Sequence, residues 1–500
     1  MDKRAILLGT TFGQRVAEEE GDDLRSYFVE TEQWRKIIAG DVDIVYGPKG
    51  SGKSAIYSLL QSEREVLRLK RRIVVIPAEN PRGTPAFRDL VDDPPATEDE
   101  FRGLWKLYFL TLLANYLRRH YSATYTTDAD ADQVIDHLIS AGLLAPEPLA
   151  LRGMLKAALD YVRKRALSVE GGAQVDPVTG APRFTAKITL GEPTVAQREM
   201  GFVSADNLIE RLNSALERVN ITVWLVLDRL DVAFATSPSL ERNALRALFR
   251  VYLDLLAHTR IAIKIFLRDD IWRKIVSEGF REASHITRSL TISWDPQSLL
   301  NLIVRRALHN EAVCSSYAVT PDSILASADE QSKFFYRMFP LQVDIGQKQT
   351  STLEWMLSRV ADGSKRPAPR ELIHVLSSAR DVQLRSYELG GSEPPAECLF
   401  DKTAIKGSLP EVSKIRFEQT LCAENPDLKT YLDRLEGEKT QQNPESLSHL
   451  WDVPIERATE IADQLTEVGF FERRGPKEQP VYWVPFLYRD ALNLVQGSAE

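Results

Sequence analysis

Eight consecutive residues, Gly47-Pro48-Lys49-Gly50-Ser51-Gly52-Lys53-Ser54, fit the spacing G-x-x-x-x-G-K-[ST] of the Walker A loop. The chemistry that suits this pattern is the holding of a triphosphate. Glycines at 50 and 52 reach backbone angles closed to other residues and let phosphate oxygens approach. The loop amides then face an anion at a helix N-terminus. Lys53 reaches toward the β- and γ-phosphates, and the Ser54 hydroxyl ligates Mg²⁺. Gly47 to Ser54 together form the expected nucleotide-binding set.

Such a loop needs a carboxylate at the end of a nearby buried strand. The apolar run Ile221 to Leu227 ends in Asp228, which is expected to hold Mg²⁺ together with Ser54. Asp231, three residues on, is placed to orient or deprotonate the attacking water. The plainer reading, a strand-end acid that caps the following helix, is the less favoured one for both residues. The acid pair Asp-Glu of many related ATPases is absent, because Arg229 follows Asp228. Arg268 closes the strand Ile261 to Leu267, a position that suits a γ-phosphate sensor or a plain salt bridge. Arg370, in Pro367-Ala368-Pro369-Arg370-Glu371, opens a helix and is a candidate second sensor. Arg281 and Arg288 precede the last expected core strand, where some ATPases carry a finger for a neighbouring subunit. No Asn-Lys-x-Asp guanine motif occurs, so ATP is expected over GTP.

These side chains must be carried by a parallel sheet. Val42 to Tyr46 alternates toward a strand, and Ala55 to Leu60 continues as a helix. Arg72 to Pro77, Ile221 to Leu227, Ile261 to Leu267 and Leu290 to Trp294 read as further strands, interleaved with helical spans. That alternation predicts an α/β sheet covered on both faces. Phe101, Leu104, Trp105, Tyr108, Leu112 and Tyr116 fall at helical spacing, and a helix packed on the sheet is the better reading than an adenine pocket.

Five hundred residues imply several domains. The expected division is a helical lead-in over 1–40 and a nucleotide core over 41–295, interrupted by an insertion at about 122–195. Glycine- and proline-rich stretches at 171–182 suggest turns inside that insertion. A helical lid follows over 296–395. The last section, 396–500, ends in a helix-helix-wing pattern. There Ser446 to Leu450 and Pro454 to Gly469 read as helices, and Phe470 to Gly475 with Val481 to Val484 as a two-stranded wing. The second helix carries Glu456, Glu460, Asp463 and Glu467 against one Arg457, which repels phosphates. Arg473, Arg474 and Lys477 are the basic residues of the wing. A protein-packing role is therefore favoured over DNA recognition.

The net charge of −8 agrees, since a general nucleic-acid binder is basic. No run approaches a membrane span, so no membrane partner is expected. The three cysteines, Cys314, Cys398 and Cys422, form neither a metal spacing nor a disulfide framework, and a cytoplasmic location is expected.

The chain resembles bacterial P-loop ATPases near the KAP and STAND groups of AAA-like NTPases. The resemblance rests on Phe12-Gly13, Ala17-Glu18, Tyr27-Phe28 and Gly47 to Ser54. It also rests on Leu227-Asp228-Arg229-Leu230-Asp231, Phe266 to Trp272, Arg366 to Ile373 and Trp483 to Arg489. It implies an ASCE P-loop NTPase sheet, an all-α lid and a winged-helix domain. It further implies an ATP- and Mg²⁺-dependent switch, often found in bacterial conflict or phage defence, with a protein partner and room for a homo-oligomer. Two other readings stand beside it: an initiator- or loader-like ATPase that grips DNA through the winged helix, and a scaffold that binds nucleotide without hydrolysing it.

Overall fold

The computed structural model describes residues 2–21, 23–80, 97–145, 147, 149–167, 187–230, 237–476 and 478–499. The chain divides into two compact units. One comprises Gln33–Gly47 and Lys53–Thr291. The other comprises Met1–Glu32, Pro48–Gly52 and Ile292–Glu500.

The first unit is built on a five-stranded sheet. Its strands are β1 (Ile44–Gly47), β2 (Ile73–Pro77), β5 (Thr222–Leu227), β6 (Ile261–Arg268) and β7 (Ser289–Thr291), with a short pair β3 (Lys187–Thr189) and β4 (Phe202–Ser204) apart from it. The order is β2-β5-β6-β1-β7 and every pairing is parallel. One strand, β6, thus separates the strand that enters the glycine loop from the strand that ends at Asp228. Strands covered on both faces are mainly apolar, which is why Val-Trp-Leu-Val-Leu and Ile-Ala-Ile-Lys-Ile-Phe-Leu sit inside the sheet, while Ile-Val-Val-Ile of β2 forms an edge and is partly buried.

Helices α1 (Lys53–Ser62), α2 (Glu98–Thr124), α3 (Ala205–Arg218), α4 (Pro238–Leu255) and α5 (Asp269–Ser277) belong to the same unit. A capping box, in which Thr97 and Glu100 each satisfy the other's backbone, starts α2. Its aromatic stripe is core, as expected: Trp105, Tyr108 and Phe109 are fully buried, and the Trp105 indole donates to the Ala244 carbonyl at 2.8 Å. A helix apolar on every face is an interior helix. From the insertion, helices Ala129–Ser140 and Leu151–Leu167 are described, while the turns expected at 171–182 lie outside the described residues.

The second unit is mainly helical. It includes α6 (Pro296–Leu308), α7 (Pro369–Glu388), α8 (Pro444–Trp451) and α9 (Ile455–Glu467). Its sheet has the order β11-β8-β10-β9, made of β8 (Lys439–Gln442), β9 (Glu472–Arg474), β10 (Val481–Trp483) and β11 (Val495–Ser498). One apolar cluster runs from Ile6 and Phe12 through Phe339, Phe400 and Trp451 to Tyr488. Among the described residues no helix is long and apolar enough to cross a membrane.

One expectation is made finer and one is corrected. The lead-in is helical in separate pieces. It is broken into Ala17–Glu19, Asp23–Ser26 and Glu32–Ala39, because Gly13 and Gly21 sit at φ +84° and +59°. Arg306 gathers residues 12–27: the guanidinium bonds Glu20 at 2.7 Å and the Phe12 carbonyl at 2.5 Å and lies 4.3 Å over the Tyr27 ring. The last core strand is also shorter than Leu290 to Trp294. It stops at Thr291, and Asp295 already caps α6 by accepting from the Ser298 amide.

Candidate phosphate-binding loop and acidic strand tips

The glycine loop bridges β1 and α1 as the spacing predicts. Gly50 and Gly52 take φ of +82° and +99°, conformations that a side chain resists. Residues 48–52 pack within the second unit. The Trp294 indole donates to the Ser51 carbonyl at 2.8 Å, and Lys49 forms an ion pair with Glu424. A Cβ added at Gly50 would stand 3.2 Å from both the Arg370 Cβ and a Glu371 carboxylate oxygen. Arg370, on the first turn of α7, is therefore brought to the crown of the loop. Glu371 is buried and its other oxygen accepts from Arg416 at 3.0 Å.

In the first unit, Lys53 begins α1 and its ammonium donates to the Gly47 carbonyl at 2.7 Å. Ser54 follows in the same helical turn. Asp228 lies directly past the end of β5 and is 5% exposed. Arg229, next in the chain, is left-handed at φ +58°, so the backbone turns away immediately after the acid. Asp231 lies outside the described residues.

A second acid, not singled out from sequence, occupies the neighbouring tip. Glu79 lies two residues past β2 and is 1% exposed. The Tyr57 hydroxyl donates to its carbonyl at 2.9 Å, and the Tyr108 hydroxyl donates to the Ala78 carbonyl at 2.8 Å. Burial pushes the Tyr57 phenol well above its ordinary range, and the charges of Asp228 and Glu79 add to the rise. Both acids therefore face the helix that starts with Lys53. The only sequence signal for Glu79 was its place after a buried strand, and strand order is needed to use it. Trp294 and Glu424 had no signal.

Arg268 ends β6 and makes a two-pronged ion pair with Asp270, at 3.0 and 2.7 Å. Burial alone would raise the Asp270 carboxyl, but the guanidinium beside it holds it below its ordinary value. Arg288, weighed as a finger, pairs with the buried Asp43 at 2.6 Å. Arg281 begins a short 3₁₀ turn, Arg281–His285. Arg473 and Arg474 sit on β9, paired with Asp463 and Glu472, whereas Lys477 lies outside the described residues.

No family model and no curated protein matches the chain. Among solved structures it is similar to the ORC2 protein of Aeropyrum pernix in its ADPNP-ADP complexes, at 12% identity and a TM-score of 0.31, over 92% of this chain and 90% of that one. The ADP form of the same protein gives 12% identity and a TM-score of 0.31, over 94% and 89%.

Proposed function

We propose that the chain is a Mg²⁺-dependent ATPase of the ASCE P-loop type that works as a nucleotide-driven switch. One observation carries the reading: a loop with two left-handed glycines opens α1, in a parallel sheet whose acid-tipped strand stands one strand removed. The loop amides and Lys53 would bind the phosphates. The donors for magnesium are of the right kind, a hydroxyl at Ser54 and a buried carboxylate at Asp228. Magnesium, when bound, would neutralise charge on the β- and γ-oxygens. Asp231 is proposed to position water, and Arg268 and Arg370 to sense the γ-phosphate. Arg268 would have to exchange its Asp270 partner for phosphate to do so. Residues 296–395 are proposed as a helical lid and 396–500 as a winged-helix domain, with α8 and α9 ahead of the β9–β10 hairpin. The test is phosphate release from ATP by the full chain. Turnover that needs magnesium and disappears in both Lys53→Ala and Asp228→Ala supports the reading; unchanged turnover in both defeats it.

A second reading, an initiator- or loader-like ATPase that grips DNA, is favoured by one cluster. Arg474 and Arg489 lie 4.2 and 4.4 Å over the Trp483 ring, and Arg489 and Arg359 lie 4.0 and 3.8 Å over Phe486. Arginines beside aromatic rings are components of nucleic-acid surfaces, though Arg489 is buried and Arg474 is paired with Glu472. Against it, Glu456, Glu460 and Glu467 are exposed along α9. Duplex binding that falls steeply with salt and weakens in Arg473→Ala/Arg474→Ala supports this reading; no binding at low salt removes it.

A further inference from the structure

The ATPase reading lacks a residue to take the proton from water at a described position. The residue after Asp228 cannot serve: it is Arg229, and the chain turns left-handed there. The neighbouring strand supplies the alternative. Pro77 pairs with Val226, and the Ala78 amide donates to the Val226 carbonyl at 2.9 Å, so the pairing continues past the end of β2. Continued in register, Glu79 stands beside Asp228. Partner residues on adjacent parallel strands point to the same face of the sheet.

Three contacts fix Glu79 in place. Tyr57 holds its carbonyl, Tyr108 holds the carbonyl before it, and the Asn80 amide donates to one carboxylate oxygen at 2.6 Å. Tyr57 lies four residues after Lys53 on α1, and residues at that spacing share a helix face. The face that carries Lys53 therefore also meets the backbone carbonyl of Glu79. The backbone at Glu79 is thus fixed, and a carboxylate buried this deeply is suited to proton transfer.

We propose that Glu79 is the general base of ATP hydrolysis, a role that rests on the ATPase reading above. The water oxygen forms a bond to the γ-phosphorus. The bond from that phosphorus to the β–γ bridging oxygen breaks, and its electron pair leaves with ADP. The proton lost by water passes to the Glu79 carboxylate, which later releases it to solvent.

The experiment compares the unmodified full chain with Glu79→Gln, Glu79→Asp and Asp231→Asn. It measures ATP affinity by calorimetry, single-turnover phosphate release and thermal midpoint. Glu79→Gln keeps size and polarity but accepts no proton. It is expected to bind ATP within about threefold of the parent and to slow phosphate release by about 10²–10⁴-fold. Glu79→Asp keeps a carboxylate and is expected to recover part of that rate. Release by Glu79→Gln at the parental rate overturns the proposal. So does a loss carried by Asp231→Asn instead. If Glu79→Gln does not fold, Glu79→Asp decides. A slower step at unchanged ATP affinity supports the role, and equal loss of affinity and rate overturns it. Absence of turnover in the unmodified chain overturns the ATPase reading and this role together, whereas a normal parent beside a normal Glu79→Gln overturns this role alone.

Discussion

The two ends of the parallel sheet handle buried charge in opposite ways. At the end where β1 begins, one acid is surrounded by donors. Asp43 accepts from Lys264 at 2.8 Å, from Arg288 at 2.6 Å and from the Tyr252 hydroxyl at 3.2 Å. The Lys264 ammonium also donates to the Val42 carbonyl at 2.6 Å and lies 4.4 Å over the Trp224 ring. Burial pulls the Lys264 amine below its ordinary range, and Asp43 offsets part of that pull. At the other end two acids come together. Asp228 and Glu79 occupy adjacent strand tips, and the amine of Lys53 is directed to the Gly47 carbonyl. The lesson is that the first cluster joins one acid to three donors from separate elements, whereas the second sets two acids on adjacent strand tips next to the helix that Lys53 begins. The first is read as serving stability and the second as the proposed nucleotide site.

Breaking the first end should have the largest effect on folding. Asp43→Ala leaves Lys264 and Arg288 without their acid, and removal of one member of a buried pair costs about 3–5 kcal/mol. Urea denaturation should show that loss, while phosphate release per folded molecule stays near parental. Lys53→Ala should do the reverse. Its thermal midpoint should hold, and turnover should fall about 10²–10³-fold, the usual result of removing one preorganised electrostatic contact. If Lys53→Ala unfolds the protein and Asp43→Ala silences it, the contrast between the two ends is wrong. Gly50→Ala comes next. The left-handed backbone alone costs about 1–2 kcal/mol with a side chain. The new Cβ also meets Arg370 and Glu371 at 3.2 Å. Calorimetry should find ATP affinity lowered about tenfold, near the 1.4 kcal/mol that a decade represents. Tyr57→Phe is the mildest. It removes the hydrogen bond to the Glu79 carbonyl, for about 0.5–1.5 kcal/mol of stability. It sharpens the comparison if turnover drops more than stability does.

Much of the sheet was legible because a strand buried on both faces must be an apolar run. β1, β2, β5 and β6 all read that way, and Asp228 stood out as the charge that ends one of them. β7 was placed too far along because Ile292 and Trp294 are apolar for other reasons. Ile292 is buried, and Trp294 reaches the Ser51 carbonyl. The strand β8, Lys-Thr-Gln-Gln, carries no apolar pattern at all, and only its pairing with β10 and β11 makes it a strand. The hairpin β9–β10 and the helices before it were legible from turn residues and helical spacing. Within the candidate site, the loop was written in eight consecutive residues. Glu79 was not, because its meaning comes from the strand beside it. The Arg268–Asp270 pair shows the same limit: the sequence places an arginine at a strand end without saying what holds it.

Trp294 gives the loop a built-in optical reporter. Its indole N–H is engaged by the carbonyl of Ser51, one residue from each of the two loop glycines. Indole emission responds to the loss of such a bond, so titration of the native chain with a nucleotide should shift its spectrum without any attached dye. Eight tryptophans contribute to the signal, and subtraction of a Trp294→Phe titration isolates the one that watches the loop.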